Sequence, residues 1–110
     1  MHSIILPDYY IGNGKYFGIK IKDDSLNLRN IFRGITAIAK KQDIARPGDL
    51  VIYVYNGNEH YGIYTLSDDN IIISPCSSDD SYRPRIFNVK DDKFKLIGKI
   101  VMILGPIQSI

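Results

Sequence analysis

The stretch "KIKDDSLNL" (20–28) sets one serine, Ser25, directly after two aspartates and at the end of a strand-like run. A serine hydroxyl is a weak nucleophile near neutral pH and needs a base within hydrogen-bond reach. That base must come from another part of the chain. His60 is a candidate by residue type, because imidazole takes up and releases protons near pH 7. Lys40, Lys41 and Lys99 qualify only if burial lowers their pKa. His2 lies in an irregular N-terminal stretch and supports no argument. The single cysteine, Cys76, excludes an intrachain disulfide and a cysteine-based zinc site. Ser25 also has a purely structural reading: Asp24 and Ser25 are both good N-cap types for a short turn over "LNLRN".

The elements that must position these groups are mostly strands. Ile, Val, Tyr and Phe are abundant, while Ala and Glu are sparse. "YFGIKIK" (16–22) alternates Phe17, Ile19 and Ile21 against polar neighbours, the mark of a half-buried strand. "ARPGD" (45–49) is a turn, and "LVIYVY" (50–55) is an apolar strand. "NGN" (56–58) predicts a hairpin into "EHYGIYTL" (59–66), since Asn-Gly tolerates positive φ. After "SDDN", "IIIS" (71–74) is a further strand, followed by the polar loop "PCSSDDSYRP" (75–84). "RIFNV" (85–89) and "FKLIGKIVMILG" (94–105) complete a meander-like series. Residues 26–42 carry both helical spacing and a β-branched run. They are read as a short helical turn near 26–31 and a strand near 35–40. The expectation is a mostly β chain: one domain at 16–105 built of twisted antiparallel sheet, an irregular segment at 1–15 and a tail at 106–110.

Bulk properties narrow the function classes. The chain has 110 residues, enough for one domain with a modest core. A net charge of +2, spread thinly, is too weak for a nucleic-acid footprint of its own. No apolar run is long enough to span a bilayer, and the first residues lack the pattern of a signal peptide. A lone thiol is consistent with a reducing, cytoplasmic setting.

The order "YFGIKIKDDSLN", "IFRGITAIAKKQDIARPGDLVIYV", "NGNEHYGIYTL", "NIIISPCSSDDSYRPRIF", "FKLIGKIVMIL" resembles the C-terminal domains of LexA-like and phage-type repressors, the S24 serine peptidase family. "DDSL" stands where that family has a Gly-Asp-Ser-Met type motif, with Ser25 in the nucleophile's place. Gly34, with Ile35 where aspartate is usual, and "PGD" (47–49) stand at the glycine-aspartate turns before the next two strands. Pro75 and Tyr82 match its Pro...Tyr loop, and "IGKIV" (97–101) matches its final strand. The resemblance spans residues 16 to 104. It implies a LexA/signal-peptidase-like fold, no cofactor and a homodimer formed through the C-terminal strand, here Lys99, Ile100, Val101, Met102, Ile103 and Leu104. Operator DNA would be bound only through an N-terminal domain that these 110 residues do not contain. Two protein partners follow from the same resemblance: an antirepressor, and the recombinase filament that triggers self-cleavage in LexA-like members.

The chemistry of the family departs here. Cleaving members pair the serine with a lysine on the strand after the hairpin. Counting from "PGD" puts Gly62 in that position, with Tyr61 and Ile63 beside it. A tyrosine with an ordinary pKa of about 10 is a poor substitute. His60 shares a strand face with Gly62 but sits about 7 Å away along it. Asp23 replaces the motif's glycine and adds a charge beside the serine. The scissile Ala-Gly or Cys-Gly pair of self-cleaving members does not occur in the 24 residues before Ser25. The reading is a dimerisation domain of a repressor with a degenerate self-cleavage site. An active S24 autopeptidase and a UmuD-like accessory domain are the alternatives.

Overall fold

The computed structural model describes residues 15–105. His2, most of the expected N-terminal segment and the 106–110 tail with Ile107 and Ile110 lie outside the described residues. Seven strands form: β1 (Tyr16–Lys20), β2 (Thr36–Lys41), β3 (Leu50–Tyr55), β4 (Asn58–Ser67), β5 (Asn70–Ser74), β6 (Arg85–Asn88) and β7 (Phe94–Gly105). They make one antiparallel sheet in the order β1-β2-β7-β3-β4-β5-β6. The mostly β expectation is met. The ambiguous segment resolves as expected, into a single 3-10 turn at Asn27–Arg29 followed by β2.

Local chemistry explains the turns. Asn56 and Gly57 both take positive φ, 56° and 83°, which lets β3 return as β4 in a tight hairpin. Gly48, at φ 92°, closes the turn ahead of β3. The 3-10 turn is capped differently from the sequence reading. Its N-cap residue is Leu26, which makes no side-chain cap. Neither Asp24 nor Ser25 serves there: Asp24 Oδ1 instead accepts the Arg33 N–H at 3.0 Å.

Period-2 alternation sends side chains to the two faces of the sheet, and each face buries its own cluster. One cluster gathers Ile19, Ile21, Leu26, Ile31, Ile52 and Tyr61 with neighbouring apolar groups. The other is built from Val51, Tyr53, Ile71, Ile73 and Phe87. Tyr53 is its hub, with Phe94 stacked at 5.1 Å and Phe87 edge-on at 5.5 Å.

β7 joins the two ends of the sheet. Its first half pairs with β3 from Phe94 to Lys99, and its second half pairs with β2 from Gly98 to Gly105. At the crossover, Gly98 is buried between Ile52 and Lys41. A Cβ there would lie 2.7 Å from the Lys40 carbonyl oxygen and 3.2 Å from the Phe17 ring. The carbonyl belongs to the backbone and cannot rotate away. Gly98→Ala is therefore expected to destabilise the fold by about 1–3 kcal/mol, the usual range for forcing atoms into a filled space. Urea denaturation of the variant beside the parent chain checks this.

Candidate functional site

Ser25 follows β1 on the connection to β2, and a second segment holds it down. The Cys76 N–H donates to the Ser25 carbonyl at 2.8 Å, and the Leu28 N–H donates to the Cys76 carbonyl at 3.1 Å. Tyr82 Oη accepts the Asp24 N–H at 3.2 Å. Asn27 and Ser78 exchange two further hydrogen bonds, both 2.9 Å. The polar 75–84 loop is thus laced onto the serine turn, and Ser25 is only 6% exposed.

Beside Ser25 lies a cavity of about 50 Å³. Asp23, Ser25 and Tyr82 form one side of it; Tyr53, His60 and Tyr61 come from β3 and β4. Ile73, Pro75, Arg83 and Arg85 complete the lining. The space suits a few waters or one small functional group; pockets for drug-sized ligands run to about 300 Å³ and more. Ser25, His60 and Tyr61, singled out from the sequence, do converge here, as does the Pro75...Tyr82 loop. Lys40 and Lys41 sit exposed at the end of β2, and no lysine occurs among the described lining residues. Lys99 is occupied elsewhere: its Nζ lies 3.1 Å from Asp49 Oδ1. Burial opposes the charge of Asp49, but the Arg46 N–H and the Lys99 ammonium outweigh it and hold the carboxyl below its ordinary value.

Ser25, His60 and Tyr61 are each already engaged. Ser25 Oγ donates to Asp23 Oδ1 at 2.7 Å, and the Ser25 N–H donates to the same oxygen at 3.0 Å. A carboxylate orients that hydroxyl but accepts its proton far less readily than a neutral amine does. Arg85 Nη1 lies 3.3 Å from His60 Nε2. A guanidinium only donates, so Nε2 is the acceptor and the proton of the neutral ring sits on Nδ1. Burial, and then the Arg85 charge, lower the His60 pKa. The ring is neutral, but the lone pair a base would use faces Arg85. The Tyr61 hydroxyl donates to Glu59 Oε1 at 2.9 Å and accepts the Lys22 N–H at 3.2 Å. Burial and the Glu59 carboxylate push its pKa well above the ordinary 10. Tyr61 is no base at neutral pH.

Gly62, the position that counting from "PGD" reaches, has no room for a side chain. It is buried on β4, paired with Val51. A Cβ at this position would collide with Ile73 Cγ2 and approach the Ser74 carbonyl at 3.2 Å. Ile73, on the neighbouring β5, fills the volume through which a side chain from position 62 would leave the strand. Sequence reasoning named Gly62 but missed this cause, along with Arg83 and Arg85. A run of two arginines flanking a proline, "RPR", was the available signal.

The fold and site define a single-sheet β domain that carries a serine at the edge of a small, donor-rich cavity. The family model for Peptidase S24-like domains matches residues 2–101, and the chain belongs to that family.

Two predictions follow from this geometry. Gly62→Ala should be destabilising, and Ile73→Ala should relieve part of that cost by removing Cγ2. A double-mutant cycle by urea denaturation is expected to give a favourable coupling of about 1 kcal/mol or more, within the range for residues in contact; strict additivity would refute the steric account. The second concerns pH. Above the ordinary histidine value of 6.5, His60 is neutral in both folded and unfolded chains. As pH falls through 6.5 toward the lowered folded value, the unfolded chain binds the proton first and stability drops. His60→Gln removes this contribution, so its denaturation midpoint should fall less steeply with acidification than that of the parent.

Proposed function

We propose that this chain is the self-association domain of a LexA-like or phage-type transcriptional repressor, a cytoplasmic regulator whose operator binding resides in a DNA-binding domain outside these residues. In this reading Ser25 keeps the nucleophile's position at a cleavage site that has lost its base. The observation that carries it is the pairing of an engaged serine with an apolar, half-paired final strand. The Ser25 hydroxyl is committed to Asp23, and Ile73 occupies the route from Gly62. Beyond Lys99, β7 pairs with β2 alone among the described strands, so its other edge is open from Ile100 to Gly105. Val101, Ile103 and Leu104 are exposed along this stretch. Ile100, by contrast, is buried in its own core and Lys99 is tied to Asp49, so the self-association surface narrows to the outer residues of the strand. An open edge carrying exposed β-branched residues is a template for pairing with a second copy. A two-fold partner is what a repressor needs to match paired half-sites.

An autopeptidase is the competing reading, supported by Ser25 and His60 lining the same cavity. One experiment separates the two. Light scattering at high micromolar concentration should give a dimer mass for the parent and a monomer mass for Ile103→Glu. Mass spectrometry of the same samples should show an intact chain. A monomeric parent would overturn the self-association reading. Scission that disappears in Ser25→Ala would overturn the silent serine.

A further inference from the structure

The cavity beside Ser25 is unbalanced in its hydrogen-bonding groups. Asp23 is its one carboxylate among the described lining residues, and its Oδ1 is taken by the two donors of Ser25. Arg83 and Arg85 border the same space, and neither forms an ion pair with a described carboxylate. Arg85 has as polar side-chain partners the neutral His60 nitrogen at 3.3 Å and the Tyr53 hydroxyl, neither of which carries a negative charge. The Tyr82 oxygen accepts the Asp24 N–H, and its own proton has no described acceptor. Two guanidiniums against one carboxylate leave the lining with a single surplus positive charge. The cavity therefore offers donors and one uncompensated charge in a space of about 50 Å³.

We infer that this cavity is a binding site for a carboxylate carried on a peptide segment of a partner protein. A guanidinium matches a carboxylate through two parallel N–H donors. One surplus charge balances a monoanion and leaves a phosphate dianion half compensated. The space of about 50 Å³ admits a carboxylate. Ile73 and Pro75 supply an apolar wall against which the attached peptide backbone can lie. The site rests on the reading that Ser25 no longer cuts peptides, because it makes the former cleavage cavity a place where a peptide stays bound.

The test is titration of the ¹⁵N-labelled chain with four probes: N-acetylglycine, N-acetylglycinamide, acetate and inorganic phosphate. N-acetylglycine should produce saturable shifts of the His60 and arginine side-chain signals at about 1–10 mM, the affinity expected of a fragment this small. It should bind several-fold more tightly than acetate. Arg83→Gln and Arg85→Gln should each weaken it about tenfold while the backbone amide spectrum stays dispersed, as expected for exposed positions. An equal response to the amide, or a stronger one to phosphate, would overturn the carboxylate assignment. Parity with acetate would overturn the peptide. Hydrolysis of the probe would appear separately as free acetate; it would refute the silent serine and leave the carboxylate site standing.

Discussion

The structure depends on β7 pairing with two strands that are not its neighbours in sequence. β1 and β2 form one hairpin-like unit, and β3 to β6 form another. Among the described strands only β7 hydrogen-bonds to both, handing over from β3 to β2 around Gly98. Ser25 belongs to the first unit. His60, Ile73 and Arg85 belong to the second. The cavity is therefore a product of the β7 seam, and its geometry is only as fixed as that seam. Register shifts at Ile38/Ala39 and at Ile52/Tyr53 flank the crossover, where the long strand passes from β3 to β2, both antiparallel to it. The glycine at 98 permits the closest approach, where the Lys40 carbonyl and the Phe17 ring leave no room for a methyl group.

A second connection reinforces the seam. Cys76 bridges to Ser25 and Leu28 through backbone bonds, and the Asn27–Ser78 pair extends the contact. These bonds satisfy main-chain groups of a turn that belongs to no ladder, which is how an irregular buried segment avoids unpaired polar atoms. They also bring Tyr82 against Asp24 and set the neighbouring arginines at the rim of the cavity.

The strands were legible because a two-residue period reports which face each side chain occupies. "YFGIKIK" buries Ile19 and Ile21 as its alternation implies, and the Asn56-Gly57 turn has the backbone its residue types favour. Periodicity reports faces and is silent on neighbours. Nothing local in "FKLIGKIVMILG" distinguishes a strand at the sheet edge from one inserted between β2 and β3. The misreading of Asp24 and Ser25 as caps has the same origin. Both side chains had other partners within reach: Ser25 is engaged by Asp23, two residues back, and Asp24 by the Arg33 N–H, nine residues on. Gly62 was named by counting from "PGD". Its crowding was not legible, since Ile73 reaches Gly62 across a strand pairing rather than along the chain.

That cross-strand contact decides what position 62 can carry. Had Gly62 opened onto empty space, a single substitution could place a side chain there. Instead Ile73 of the neighbouring strand fills that space, 3% exposed within the Tyr53 cluster. A side chain at 62 and the present rotamer of Ile73 exclude each other. Placing a side chain at 62 would require Ile73 to repack or be cut back, and cutting it to alanine costs about 2–5 kcal/mol. The packing of the core and a side chain at position 62 are thus set against each other at one contact. The remaining polar groups point the same way. Asp23 holds the serine, Arg85 holds the histidine and Glu59 holds the tyrosine. Each of these pairings fixes a proton in place, whereas catalysis by a serine needs a proton that is free to move.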